Sequence, residues 1–209
     1  MSKRLLVVDS KVSNIKSVTN ALNYLKINYS ITDTEFQASD YDYLILPGVG
    51  HFGKFAHNIK CNKLYKPILD FIERDKFFLG ICVGMQYMFQ SSEESLDYKG
   101  LNLIKEKVKK FKKEETNGKI PLIGKQKIKG EILNWNNTIL KNFTKDSEMY
   151  FLHSYYCKSP QTYELSATSY NNFNFTSSIK IRNSYGVQFH PEKSGMQGLK
   201  IFQNFIELK

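Results

Sequence analysis

The apolar run Phe77-Phe78-Leu79 leads straight into Gly80-Ile81-Cys82-Val83-Gly84-Met85, and this junction constrains the fold more than any other stretch. Residues before Cys82 predict a buried central strand, while Val83 to Gln90 carry helical periodicity. Cys82 therefore sits at a strand-to-helix turn. Gly80 and Gly84 leave room for a bend tight enough to lift a nucleophile clear of a sheet edge, as in the G-x-S-x-G elbow. Free N–H groups at the start of the following helix would favour a thiolate there.

The chain before this junction fits an α/β sheet. Leu5 to Val8 reads as a first strand and Val12 to Leu25 as an amphipathic helix with Ile15, Val18, Leu22 and Leu25 on one face. Ile27 to Ile31 and Tyr43 to Leu46 read as further strands, with helices expected around Phe52 to Ile59 and Leu64 to Arg74. Such alternation predicts βαβ units and a mostly parallel sheet flanked by helices. After Ser91 the pattern changes to short strand-like segments at 101–104, 148–153, 165–169, 177–181 and 186–189, which predict an antiparallel extension. A helix near Leu199 to Leu208 follows, and the lysine-rich 105–129 stretch reads as a surface excursion. With no repeat and no linker-like composition, residues 1–209 are expected to form a single domain.

Composition excludes several classes. The net charge of +10 comes almost wholly from lysine, since arginine occurs only at Arg4, Arg74 and Arg182. Arginine is the side chain suited to bidentate phosphate and base recognition, so no nucleic-acid partner is expected. The run from Lys105 to Lys113 reads as a solvated face or as a surface for an acidic partner. No apolar run approaches the roughly 20 residues needed to cross a bilayer, so no membrane association is expected. Cys61, Cys82 and Cys157 lack metal-ligand spacing and suit a reduced, cytoplasmic setting, with Cys61 and Cys157 read as structural. Neither a metal nor a cofactor is expected.

A buried cysteine is ordinarily an inert small hydrophobe, and a lone histidine is ordinarily a satisfied core residue. Gln188-Phe189-His190-Pro191-Glu192 changes that balance. His190 and Glu192 close a short strand, so both side chains can leave the sheet at the edge where Cys82 emerges. The imidazole can then take the thiol proton while the carboxylate orients the ring. Pro47-Gly48-Val49-Gly50 reads as a plain turn, or as a loop whose N–H groups face a developing oxyanion, with the Val83 N–H as second donor.

Together with His153-Ser154-Tyr155-Tyr156 and Gln188 to Ser194, these motifs resemble the class I (triad) glutamine amidotransferases, over essentially the whole chain. More narrowly they are similar to the glutaminase subunits of imidazole glycerol phosphate synthases. The resemblance implies a flavodoxin-like α/β fold with a mixed sheet, and hydrolysis of L-glutamine through a γ-glutamyl thioester. It further implies a (β/α)₈-barrel synthase partner that receives ammonia in a heterodimer serving histidine biosynthesis. By matched position Cys82 would be nucleophile, His190 base and acid, and Glu192 its orienter. Gly48, Gly50 and Gln86 would line the glutamine pocket, and Ser154 and Tyr155 would hold the α-amino and carboxylate end. Tyr150 and Lys193 would face the partner.

Two segments, which the resemblance implies lie toward the synthase-facing side, depart from the family pattern. Asp9-Ser10-Lys11-Val12-Ser13-Asn14 stands where the family has Asp-Tyr-Gly-x-Gly-Asn. Pro121-Leu122-Ile123-Gly124-Lys125-Gln126 stands where it has Pro-His-x-Gly-Trp-Asn. Trp135 to Leu140 resembles relatives that supply ammonia to sugar amidotransferases of surface-polysaccharide synthesis, which is an alternative role. A non-catalytic scaffold on the same fold is a further alternative, disfavoured by retention of Cys82, His190 and Glu192.

Overall fold

The structure is a computed structural model that describes residues 3–117, 119–130 and 135–209; Gly118, within the lysine-rich stretch, lies outside the described residues. Its first half comprises Leu5–Val8 (β1), Ile15–Tyr24 (α1), Tyr29–Thr32 (β2), Tyr43–Gly48 (β3), Phe52–Cys61 (α2), Tyr65–Glu73 (α3) and Phe77–Cys82 (β4). Then come Val83–Gln86 (α4), Phe89–Ser92 (β5), Ser95–Lys99 (β6), Ile104–Lys110 (β7), Leu122–Lys127 (β8), Glu148–His153 (β9) and Tyr155–Tyr156 (β10). Glu164–Tyr170 (β11), Phe173–Ile181 (β12), Ser184–Val187 (β13), a 3₁₀ turn at Pro191–Lys193 and Gly195–Glu207 (α5) complete the order.

Seven strands form the main sheet in the order β11-β12-β13-β4-β3-β1-β2. From β13 to β2 every pairing is parallel, whereas β11, β12 and β13 pair antiparallel. The expected mixed sheet with an antiparallel extension is thus present. Leu6, Val7, Leu44, Ile45, Phe78 and Leu79 are wholly buried in its parallel centre, each burial contributing about 1.5–3 kcal/mol before chain entropy is charged. Because β13 lies directly beside β4, the chain leaving β13 toward His190 emerges next to Cys82. Two smaller sheets, β10-β7-β5-β6 and β8-β9, complete the strand pairing among the described residues.

Several elements differ from expectation. Helix α1 starts at Ile15 instead of Val12, because the Asn14 side chain accepts from the Ser17 N–H and Lys11 holds φ +60°. The helix expected from Val83 to Gln90 is a single turn. Its continuation fails because the Tyr87 carbonyl accepts from the Leu101 N–H, and the Met88 carbonyl from the Leu103 and Ile104 N–H groups. Residues 101–103 are accordingly a turn that crosses these carbonyls, and the strand begins only at Ile104. The lysine-rich stretch is no excursion: it supplies β7 and β8. Ile104 and Val108 are buried, while the lysines between Lys105 and Lys113 are exposed. Cys157 is buried as expected, but Cys61 is exposed beside His57, so packing does not account for it. Among the described residues no helix is long and apolar enough to cross a membrane.

Candidate active site

Cys82 ends β4 with φ +53° and ψ −105°, a backbone state that a residue with a Cβ adopts only under constraint. The surrounding glycines show what constrains it. A Cβ at Gly84 would lie 2.0 Å from the Leu46 carbonyl oxygen, and one at Gly80 would lie 2.6 Å from the Gly84 oxygen. At Gly48 it would meet the Phe55 ring at 2.6 Å and the Val83 Cβ at 2.9 Å. The elbow is therefore clamped between β3 and β4 by three backbones that touch. Phe55 and Tyr87, with ring centroids 5.3 Å apart, pack the layer beneath it.

His190 follows β13, its N–H donating to the Tyr150 carbonyl at 2.8 Å. The ring Nδ1 lies 2.7 Å from the Glu192 Oε1, and both side chains are almost completely buried, at 1% and 2% exposure. A carboxylate can only accept, so Nδ1 carries the proton and Nε2 is left as the reactive nitrogen. Nε2 is buried and makes no aligned hydrogen bond, and the group acting on it is the Cys82 sulfur. Burial opposes charging of the ring, but Cys82 and Glu192 together outweigh it and raise the His190 pKa to about 10. The sulfur and imidazole thus interact electrostatically without an aligned hydrogen bond between them. His153 behaves oppositely. Burial lowers its pKa to about 4, its Nδ1–H donates to the Tyr155 carbonyl at 2.8 Å, and it stays neutral.

Cys82 and His190 open onto one cavity of about 410 Å³, whose wall also includes Val49, Gly50, Val83, Gln86, Ser154 and Tyr155. That is the volume class of a small-molecule site. Among the described residues no group of three or more His, Cys, Asp or Glu side chains could hold a metal ion. A thiol, a ring beside it, a carboxylate behind the ring and a pocket onto which the thiol and ring open form the equipment for acyl transfer from an amide.

Comparison with known proteins agrees with this chemistry. The family model for glutamine amidotransferase class-I matches residues 6–208. The chain belongs to that family.

Relatives of the amidotransferase include the imidazole glycerol phosphate synthase subunit HisH of Chlorobium chlorochromatii, 34% identical over 98% of this chain and 100% of the relative. HisH 1 of Legionella pneumophila strain Paris is 37% identical over 97% of this chain and 98% of its own, and HisH of Bacillus subtilis 33% over 97% and 95%. Among solved structures, PurLQS from Thermotoga maritima superposes with a TM-score of 0.73 at 20% identity, covering 99% of both chains. A glutamine amidotransferase from the same organism gives 0.63 at 14% identity over 99% of this chain and 85% of its own. At these identities the structures speak for the fold alone.

The amidotransferase cavity gathers most residues expected to line it, with two differences. Gly48 is buried behind the wall against Val83. The Val49 N–H, expected to face an oxyanion, donates to the Val12 carbonyl at 2.9 Å. Tyr150 and Lys193, expected at a partner face and not in the cavity, lie outside it, with the lysine Nζ 5.9 Å from the tyrosine ring centre. Sequence reading missed Glu94, which lines the wall while its Oε2 accepts from the Phe52 N–H at 2.7 Å. It also missed His51, Pro121 and Leu152 at the rim and the buried Gln188. Glu94 sits in the polar run Ser91 to Ser95, which gives no signal that a carboxylate there turns inward.

Proposed function

We propose that this chain is the glutaminase subunit of an imidazole glycerol phosphate synthase. It hydrolyses glutamine to glutamate and ammonia and passes the ammonia to a (β/α)₈-barrel partner within a cytoplasmic heterodimer, a lyase of histidine biosynthesis. The full-length likeness to HisH subunits carries the assignment.

The His190 Nε2 takes the thiol proton as the Cys82 sulfur attacks the side-chain carbonyl of glutamine, and the Val83 N–H supports the resulting oxyanion. His190 delivers its Nε2 proton to the leaving nitrogen, ammonia departs, and a γ-glutamyl thioester remains. His190 then takes a proton from water, and hydroxide attack releases glutamate and restores the thiol. Glu192 holds the ring in the required tautomer throughout. The Glu94 carboxylate matches the substrate ammonium, with Ser154 and Tyr155 at the same end. The Val49 N–H becomes a second oxyanion donor only when its peptide leaves the Val12 carbonyl. Val12 belongs to the 9–14 segment expected on the partner side, so docking there can open the oxyanion loop.

The same chemistry serving a surface-sugar amidotransferase is the second reading. Lys11 at a φ of +60° and the exposed Lys125 favour it, since both stand where the histidine-pathway pattern has other residues. Glutamate release measured with each candidate synthase separates the two, because only the true partner raises turnover. Cys82→Ala is expected to abolish thioester formation while leaving assembly intact. Full hydrolysis by the isolated chain, unchanged by any partner, overturns the subunit assignment.

A further inference from the structure

Gln188, on the chain between β13 and His190, is fully buried, and no step above uses it. Its orientation is forced from a distance. The Tyr155 carbonyl can only accept, so the Gln86 Nε2, 3.2 Å away, must be the amide nitrogen of that side chain. The same nitrogen lies 3.2 Å from the Gln188 Oε1, which fixes the oxygen end of Gln188 toward Gln86. The Cys157 thiol, 3.8 Å from that oxygen, donates to it as well. The other end of the amide, Nε2, is thereby aimed at the Cys82 Sγ, 3.7 Å away.

We propose that Gln188 is a positioning residue that donates an N–H to the Cys82 thiolate and fixes the sulfur against His190, with the Tyr155–Gln86–Gln188 chain tying the nucleophile to the wall of the glutamine cavity. A hydrogen bond to an ionised acceptor is about twice as strong as a neutral one, and a buried amide with its oxygen end satisfied has no alternative donor direction. The single turn of α4 aligns too few peptides to supply a substantial helix dipole, so the donor for the thiolate comes from this side chain instead. Gln86 and Tyr155 both line the cavity, so a ligand that displaces Gln86 also releases Gln188.

The kinetic arm of the test rests on the glutaminase assignment, and the labelling arm does not. Iodoacetamide modification of Cys82 is followed across pH in the full chain by peptide mass spectrometry, which counts Cys61 and Cys157 separately. Gln188→Met removes the donor at similar length. Labelling of Cys82 at neutral pH is expected to slow about tenfold, with its pH profile moved upward, the size of one lost hydrogen bond to a charged group. In the partner complex kcat is expected to fall at least as far, at nearly unchanged KM. Gln188→Glu keeps the shape and the acceptor for Gln86 but turns an oxygen toward the sulfur, and labelling is expected to slow as well. This variant carries the test if methionine prevents folding. Wild-type labelling rates and pH profiles in folded variants overturn the proposal. Slowed labelling in a chain that releases no glutamate with any partner supports the role of Gln188 and overturns the glutaminase assignment.

Discussion

Replacing Glu192 by glutamine tests the catalytic arrangement most directly. The carboxylate stands 2.7 Å from the His190 Nδ1, with both groups almost wholly buried, so solvent screens little of the interaction. A charge-assisted hydrogen bond of this kind contributes about 1.5–3 kcal/mol, or roughly ten- to 150-fold in rate if expressed in the transition state. The amide also adds a second loss. Its NH₂ can donate to Nδ1, which moves the ring proton to Nε2 and leaves no lone pair to take the thiol proton; such tautomer errors cost up to about 10⁴ in kcat. Glu192→Gln is therefore expected to lower kcat about 10²–10⁴-fold with KM changed by less than about threefold, read from glutamate release in the saturated partner complex. Stability gives an independent reading. A histidine pKa raised from 6.5 to about 10 contributes stability that is complete below 6.5 and is lost as pH rises through 10. Cys82 is the larger cause of that rise and persists in the variant, so the gap in melting temperature between wild type and variant reports only the Glu192 share and should narrow as pH rises toward 10. A variant retaining more than about a third of wild-type kcat, with a parallel melting profile, refutes the orienting role of Glu192.

Gly84→Ala and Gly50→Ala make a contrasting pair. The first drives a Cβ to 2.0 Å from the Leu46 carbonyl, so loss of the fold or destabilisation beyond about 4 kcal/mol is expected in denaturant titration. Gly50 has φ +79° but open space around it, so only backbone strain of about 1–2 kcal/mol is expected. His153→Phe addresses acid sensitivity. Its pKa is depressed from 6.5 to about 4, so the fold loses about 3 kcal/mol as pH falls across that window. A phenylalanine among Phe111, Phe151 and Phe175 should flatten the fall in melting temperature between pH 6.5 and 4.

The parallel half of the fold was legible because its signals are local. Leu5 to Val8, Tyr43 to Leu46 and Phe77 to Leu79 are apolar runs that only a sheet covered on both faces can bury. The elbow was legible for the same reason, since Gly80, Cys82 and Gly84 act within one turn. What was not legible depends on partners far along the chain. Tyr87 and Met88 continue the helical pattern, yet their carbonyls are taken by amides of residues 101–104, and no window around Val83 contains that competition. Likewise Ile104 and Val108 are too sparse among lysines to announce a strand, and β7 exists because β5 and β10 supply its ladder. Glu94 and Gln188 are polar residues whose inward direction is set by tertiary contacts, so composition gives them the look of solvated surface.

The place of β13, inserted between β4 and β12, has a consequence for biogenesis. A chain emerging from the ribosome presents its thiol about a hundred residues before its imidazole, and the two meet only when β13, the last strand, docks with β12 onto the open edge of β4. Long-range parallel pairing of this kind is slow. Until that docking the nascent polypeptide carries a cysteine with no proton acceptor beside it, and hydrolytic competence arrives with the closing of the architecture.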